Sequence, residues 1–358
     1  LSHTKWRLGF TIGLGQPTRL RKLEAHELEG LMKEIDWSRK RFGLPADAPV
    51  MSCYEAGRDG FWLHRFLIAQ GVRNQVVDSA SIEVNRRKRR AKTDRIDVGK
   101  LLTMLMRAAQ GERKVWSVVN PPSSEEEDQR QLHRDLMALK RERTHHINRI
   151  KGLLASQGVK MAIKTNFLTQ LETVRLWDGS RLGCGLQDRL EREYQRYQLV
   201  QAQIRQINQI RREAIRSVDT PALAQVRQLL RLKGIGINSA WVYVMEFFAW
   251  RNFRNRRELG ALAGLAPTPY QSGDGSREQG ISKAGNRPVR AMAIEIAWAW
   301  VRHQPDSALS RWYQKRFGHG NSRIRRIGIV ALARKLLIAL WRYLEWGVLP
   351  EGALLKEI

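Results

Sequence analysis

The stretch Pro49–Ala80, PVMSCYEAGRDGFWLHRFLIAQGVRNQVVDSA, decides the fold class. PVMSCYEAG is a short apolar run ending at Glu55 and reads as a buried strand. GFWLHRFLIAQG has helical spacing and is closed by Gly71. RNQVVDSA reads as a second short strand. Upstream, KWRLGFTIG alternates Trp6, Leu8, Phe10 and Ile12 with Lys5, Arg7, Gly9 and Thr11, the period of a strand. HELEGLMKEIDWSRKRF then puts Leu28, Leu31, Met32 and Ile35 on one helical face. Downstream, the basic run NRRKRRAK leads into a further helix that begins KTDRIDVGKLL. Strands alternating with helices predict an α/β domain around a central sheet, over residues 1–115.

The pattern changes after NPPSSEEEDQ. Leu132, Leu136, Leu139, Ile147 and Ile150 mark one long helix. In a second, Tyr197, Val200, Ile204 and Ile207 step 3-4-3, the spacing of a coiled-coil seam. Residues 116–217 are therefore expected to form long coiled-coil helices. They close on themselves as a hairpin or serve as an oligomerisation arm. The arm is favoured, because helices of this length carry little else to pack against. From Val218 to Ile358 the chain reads as all-α. LLRLKGIGINSAWVYVMEF is helix, tight Gly-Ile-Gly turn, helix. A further helix, an irregular glycine-rich loop and two long helices follow, one starting near Pro288.

Charge narrows the partner. Lysine and arginine total 63 against 35 acids, a net charge of +28. Such an excess repels itself unless a polyanion is the usual partner, and nucleic acid is the commonest one. A basic membrane-surface protein is the rival. No run approaches the roughly 18 apolar residues of a membrane span. Cys53 and Cys184 lie far apart with no CxxC, which excludes a disulfide scaffold or thiolate zinc site and suits a reducing cytoplasm.

Asp94 and Asp97, three residues apart at a helix start, share a face. With Glu55 at a strand end they offer three oxygen donors, the chemistry that suits Mg²⁺. The plainer reading is a pair of acids complementing the helix dipole. The basic run Arg86, Arg87, Lys88, Arg89, Arg90 and Lys92 either holds a phosphodiester or is a solvated linker. In the glycine-rich loop, Ser272 sits among Arg277, Lys283, Arg287 and Arg290, with Ser282 as a competing hydroxyl. A serine must be activated to attack. No histidine lies near it in sequence, but a metal could stabilise the alkoxide. Serines in such loops otherwise cap turns. Lys233, Gly234 and Gly236 of KGIGINSA either aim N–H groups at a phosphate or form a plain interhelical turn. Lys283, Asn286 and Arg290 of ISKAGNRPVR complete the expected nucleic-acid surface.

CYEAGRDGFWLHRFL, AKTDRIDVGKL, RLKGIGINSA, LAGLAPTPYQSG, ISKAGNRPVR and VALARKLL occur in the order seen in transposases of the insertion-sequence 110 family, which the chain resembles from Leu1 to about Trp346. The resemblance implies a RuvC-like (RNase H-type) N-terminal domain whose four acids hold Mg²⁺, a coiled-coil arm, and a C-terminal transposase domain with a helix-hairpin-helix and a nucleophilic serine. Glu55, Asp94 and Asp97 match three of the acids, and Ser272 of QSG matches the serine. The first aspartate of the pattern falls immediately before Leu1, so this sequence supplies three of the four. The resemblance further implies a prokaryotic, nucleoid-associated enzyme that cuts and rejoins donor and target double-stranded DNA through a serine-linked intermediate. A structured bridge RNA would choose the sites, and a dimer or tetramer would form composite active sites. The alternatives are a RuvC-like nuclease that uses water, or a non-catalytic nucleic-acid-binding remnant.

Overall fold

The computed structural model describes residues 1–57, 60–82, 94–112, 115–272 and 275–356. The chain divides into two compact units, Leu1–Ser123 and Ser124–Ile358.

In the first unit, β1 (Lys5–Phe10) pairs antiparallel with β2 (Arg19–Glu24), and α1 (Leu28–Arg41) follows. Then come β3 (Met51–Glu55), α2 (Trp62–Ala69), β4 (Arg73–Val77), α3 (Asp94–Ala109) and β5 (Val118–Val119). β3 and β4 run parallel, as a strand–helix–strand crossover requires, and β5 adds antiparallel beside β4. The expected central sheet is thus two small ones, of two and three strands. They share a core of Trp6, Leu31, Ile35, Tyr54, Leu63, Leu67 and Val76. β2 escapes a pattern reading because its apolar residues, Leu20 and Leu23, are three apart. Arg19 is the buried residue of that strand, bonded through Nη1 to Ser38 Oγ at 3.0 Å and ion-paired with Glu34.

The second unit opens with α4 (Ser124–Asp128), α5 (Gln131–Ala155), α6 (Phe167–Thr173) and α7 (Cys184–Ser217). α5 and α7 pack along one another, and Leu136 and Leu139 cover Val200, Ile204 and Ile207. The 3-4-3 stripe is therefore buried within one chain, as a helical hairpin. The argument that it needs a second copy loses its basis, because α5 carries the matching apolar face. Glu193 locks the pair. It lies buried in α7 and accepts from His146 Nδ1 (2.6 Å), Arg149 Nη1 (3.2 Å) and Arg196 Nη1 (3.0 Å). Burial alone would raise its pKa, but the bonds from His146 and Arg149 outweigh this and hold it below the usual carboxylate range.

The remaining elements are α8 (Pro221–Leu230), α9 (Ile237–Tyr243) with a π-helical turn Val244–Phe248, α10 (Arg256–Leu262), β6 (Pro267–Ser272) and β7 (Gly275–Ile281). α11 (Arg287–His303), α12 (Ala308–Tyr313) with a second π turn Gln314–Gly318, and α13 (Ser322–Trp346) complete it. They enclose one core that includes Val226, Tyr243, Phe247, Leu259, Ile296, Trp300, Leu332, Leu336 and Leu340. The glycine-rich segment is not an irregular loop but an antiparallel β-hairpin, so this region is not all-α. Pro267, Pro269 and Gly280 hide the strand period from the sequence, while backbone pairing supplies it. Arg211 roots the arm in this core. Its buried guanidinium stacks 4.9 Å from the Trp241 ring and donates to Ile237 O at 3.2 Å; burial lowers its pKa to about 10.

Candidate active site and nucleic-acid surface

α3 is the element that brings acids to the sheet. It lies on β1 at Gly9, where an added Cβ would stand 2.4 Å from Val98 Cγ1 and 2.8 Å from Leu102 Cδ1. It also meets β3, where Cys53 Sγ donates to Leu101 O at 3.9 Å. Burial pushes the Cys53 thiol up to about 12, which makes it a packing group and not a nucleophile. Two residues further along the strand, Glu55 ends β3, its side chain exposed and without a hydrogen bond or ion pair among the described residues. Asp97 is half-buried one turn before Leu101, and Asp94 opens the helix, its side chain lying outside the described set. Oxygen donors of this kind suit a hard divalent cation. Among the described residues, no group of three His, Cys, Asp or Glu side chains is placed to hold a metal ion. Arg86, Arg87, Lys88, Arg89, Arg90 and Lys92 all lie outside the described residues.

In the second unit, Ser272 closes β6 and its backbone pairs with Gly275, so it stands at the turn of the hairpin; its side chain lies outside the described set. Ser282, just after β7, donates its N–H to Ala266 O at 2.8 Å, and its buried Oγ has no partner among the described residues. Lys283 adopts φ +55 and donates its N–H to Gly264 O at 3.2 Å. Asn286 caps α11, accepting from Val289 N at 3.0 Å, and donates Nδ2 to Glu246 Oε2 at 3.4 Å. Arg290 Nη1 donates to Ala263 O at 3.4 Å. As placed, Asn286 and Arg290 hold the base of the hairpin against α10 and α11, while the Lys283 side chain is exposed.

The α8–α9 turn is a helix-hairpin-helix whose Gly234 needs φ +84 and packs against Ala299 and His303. Its backbone groups are largely engaged. The C-terminal segment after α13 lies across them as a strap, with Leu232 bridged to Leu355. Lys233 N donates to Leu354 O (3.1 Å), Lys356 N to Arg231 O (2.7 Å) and Lys356 Nζ to Ile235 O (2.7 Å). Gln304 Nε2 reaches both Lys233 O (3.0 Å) and Leu354 O (2.8 Å), and its Oε1 accepts from Leu354 N (2.7 Å). The Lys233 amide is thus taken by the strap. Gly236 N donates to Ser239 Oγ at 3.1 Å.

A cluster that pattern reading missed lies under the hairpin. Glu246, buried in the π turn, accepts from His133 Nε2 (2.7 Å), Arg134 Nε (2.7 Å) and Asn286. Burial would raise its pKa, yet the bonds from His133 and Arg134 hold it well below the carboxylate range. It ties the first turn of α5 to the cap of α11, and so the arm to the base of the Ser272 hairpin. The signal was present in the sequence, as a lone acid inside VYVMEFFAW. Next to it, Arg130 and Arg251 stack on Trp250, 4.9 and 4.2 Å from the ring centroid.

Residues 226–314, which run from within α8 through the α8–α9 turn, the Val244–Phe248 π turn and the β-hairpin to α12, match the model described as the transposase IS116/IS110/IS902 family. The chain is 42% identical over 370 residues to y4rJ of Sinorhizobium fredii, a protein named as a transposase, covering 99% of this chain and 93% of the relative. It is 27% identical over 241 residues to the transposase for insertion sequence element IS1328 of Yersinia enterocolitica, covering 67% and 68%. A family 20 transposase of Pseudomonas aeruginosa is 30% identical over 227 residues, covering 62% and 65%. No helix among the described residues is long and apolar enough to cross a membrane. Identity at this level, over nearly the whole of both proteins, places the chain in the IS116/IS110/IS902 family of DNA transposases, the enzymes of mobile-element transposition.

Proposed function

We propose that this transposase is an RNA-guided recombinase that uses Ser272 as its nucleophile and a RuvC-like carboxylate site of Glu55, Asp94 and Asp97 to hold Mg²⁺. The observation that carries the metal reading is the packing of α3, which opens with Asp94 and bears Asp97, onto the strand that ends in the exposed Glu55. When bound there, Mg²⁺ would supply charge neutralisation to phosphate oxygens. The Ser272 hydroxyl forms an ester bond to the scissile phosphorus while the bond from phosphorus to the 3′ oxygen breaks. The serine proton ends on that 3′ oxygen. Attack by a 3′ hydroxyl reverses the step, rejoins the strand and restores the serine. Exposed Lys283 and Arg287, beyond the hairpin, are available to the DNA backbone. A structured RNA selects the donor and target duplexes, the protein acts as a dimer or tetramer in the prokaryotic cytoplasm, and the net charge of +28 suits holding both polyanions.

The test is incubation with Mg²⁺, the RNA flanking the element and DNA carrying its ends, followed by denaturing electrophoresis. A covalent protein–DNA adduct lost in Ser272→Ala and kept in Ser282→Ala is the expected result. Cut DNA with no adduct would make water the nucleophile. An adduct lost only in Ser282→Ala would move the role to the other hydroxyl.

A further inference from the structure

Between α6 and α7 the chain makes a tight turn, Arg175–Arg181, at the end of the arm remote from the helical core. α7 runs 34 residues from this turn to its root, about 50 Å at 1.5 Å per residue. The turn is rigid. Leu176 N donates to Ser180 O (2.9 Å) and Gly179 N to Leu176 O (3.0 Å), with Gly179 at φ +81. Asp178 Oδ1 accepts from Ser180 N (3.0 Å) and Ser180 Oγ (2.6 Å). Leu176 and Leu182 anchor it on the small core of Phe167, Leu171, Leu190 and Tyr194. On this fixed turn Trp177 stands 94% exposed. Arg175 and Arg181 face each other across an antiparallel bridge. Like charges directly opposite are unfavourable, and neither arginine pairs with an acid among the described residues.

We propose that Trp177 is a stacking platform for an unpaired base of a structured RNA, with Arg175 and Arg181 holding the flanking phosphates. A protein hot spot sits within a wider apolar patch that excludes water. Here the ring's sequence neighbours, Asp178, Gly179 and Ser180, are exposed and polar or lack a side chain. One exposed aromatic ring on a turn flanked by two exposed arginines, the Arg175 side chain bonded among the described residues only to the Thr173 and Val174 carbonyls, matches the recognition of splayed-out bases. Duplex DNA keeps its bases stacked, whereas an RNA loop presents them, so RNA is the occupant that fits. α7 continues the track with six exposed arginines against three exposed acids. The inference needs neither the serine nor the metal chemistry proposed above.

The experiment measures dissociation constants of the full chain by fluorescence anisotropy at near-physiological salt. The probes are an RNA stem with an unpaired purine loop, and the same stem as a blunt RNA duplex. Base stacking on an aromatic ring corresponds to a roughly 5- to 100-fold loss on truncation. Trp177→Ala is expected to lose affinity for the looped RNA by that factor and to bind the blunt duplex unchanged, with Trp177→Phe restoring looped-RNA binding to within a few-fold. Equal looped-RNA affinity in wild type and Trp177→Ala would overturn the proposal. If Trp177→Ala then also lowers the sedimenting mass, the ring is a contact between copies of this chain. Equal losses on both probes would overturn it as well. Ser272→Ala should bind the looped RNA like wild type, so failure of the adduct experiment and failure of this one are distinguishable.

Discussion

Replacing Glu246 with glutamine removes one negative charge from a buried site without changing its volume. The side chain is 3% exposed, and the residues that donate to it differ in how well they tolerate its loss. His133 is fully buried, and its Nδ1 has no partner among the described residues. A hydrogen bond to a charged acceptor contributes about 1.5–3 kcal/mol, and most of that is lost here. Arg134 is half-exposed, so water replaces much of its bond and the loss is below about 1 kcal/mol. The 3.4 Å contact from Asn286 adds little. The amide returns roughly 1 kcal/mol as a neutral acceptor, leaving a net cost of about 1–3 kcal/mol. Guanidinium denaturation followed by circular dichroism at 222 nm, a wavelength characteristic of helix, reads this as a lowered midpoint. The folded carboxyl ionises at lower pH than the unfolded one. Its contribution is therefore complete above the ordinary glutamate range, near pH 4.5, and declines as the pH falls below that. The gap between wild type and Glu246→Gln should be widest at pH 7 and should shrink on acidification towards pH 3. A gap under about 1 kcal/mol at pH 7, or one that grows on acidification, would refute the assignment of a stabilising buried ion cluster.

Glu193→Ala should loosen the arm by about 2–4 kcal/mol, because it strips three donors of their common acceptor, and limited proteolysis within residues 156–183 would report it. Gly264→Ala combines φ +68 with a Cβ placed 2.0 Å from Ala284 O and 2.3 Å from Arg290 Nη1. It should cost more than about 2 kcal/mol and lower the melting temperature by several degrees. Gln304→Ala removes the acceptor of the Leu354 amide and two bonds that hold the strap to the hairpin. Hydrogen exchange should quicken at Leu354 and Lys233, while the amides of α5 and α7 keep their protection.

Where side chains carry the structure, the sequence was legible. β3, α2 and β4 show their periods, and Glu55 falls at the strand end as its run predicts. The seam of α7 was visible too, but a seam does not name its partner. Leu136 and Leu139 supply one from the same chain. β5 has only two residues, too few for any period. The Ser272 hairpin and the strap are held by main-chain bonds, which leave no trace in residue types. The proposal for Glu55, Asp94, Asp97 and Ser272 rests on the motifs around them, since two aspartates three apart at a helix start have an ordinary explanation of their own.

The strap fixes an order of assembly during synthesis. The arm needs only residues 131–217 to close on itself. The helical core that supports Ser272 is completed by Leu332, Leu336 and Leu340 of α13, and the α8–α9 turn by Leu354 and Lys356. A chain still on the ribosome would therefore display a finished arm while Trp241, Phe247 and Trp300 wait for the last helix. The region that carries Ser272 then folds after the arm, and a chain broken off before α13 carries Ser272 without the core that supports it.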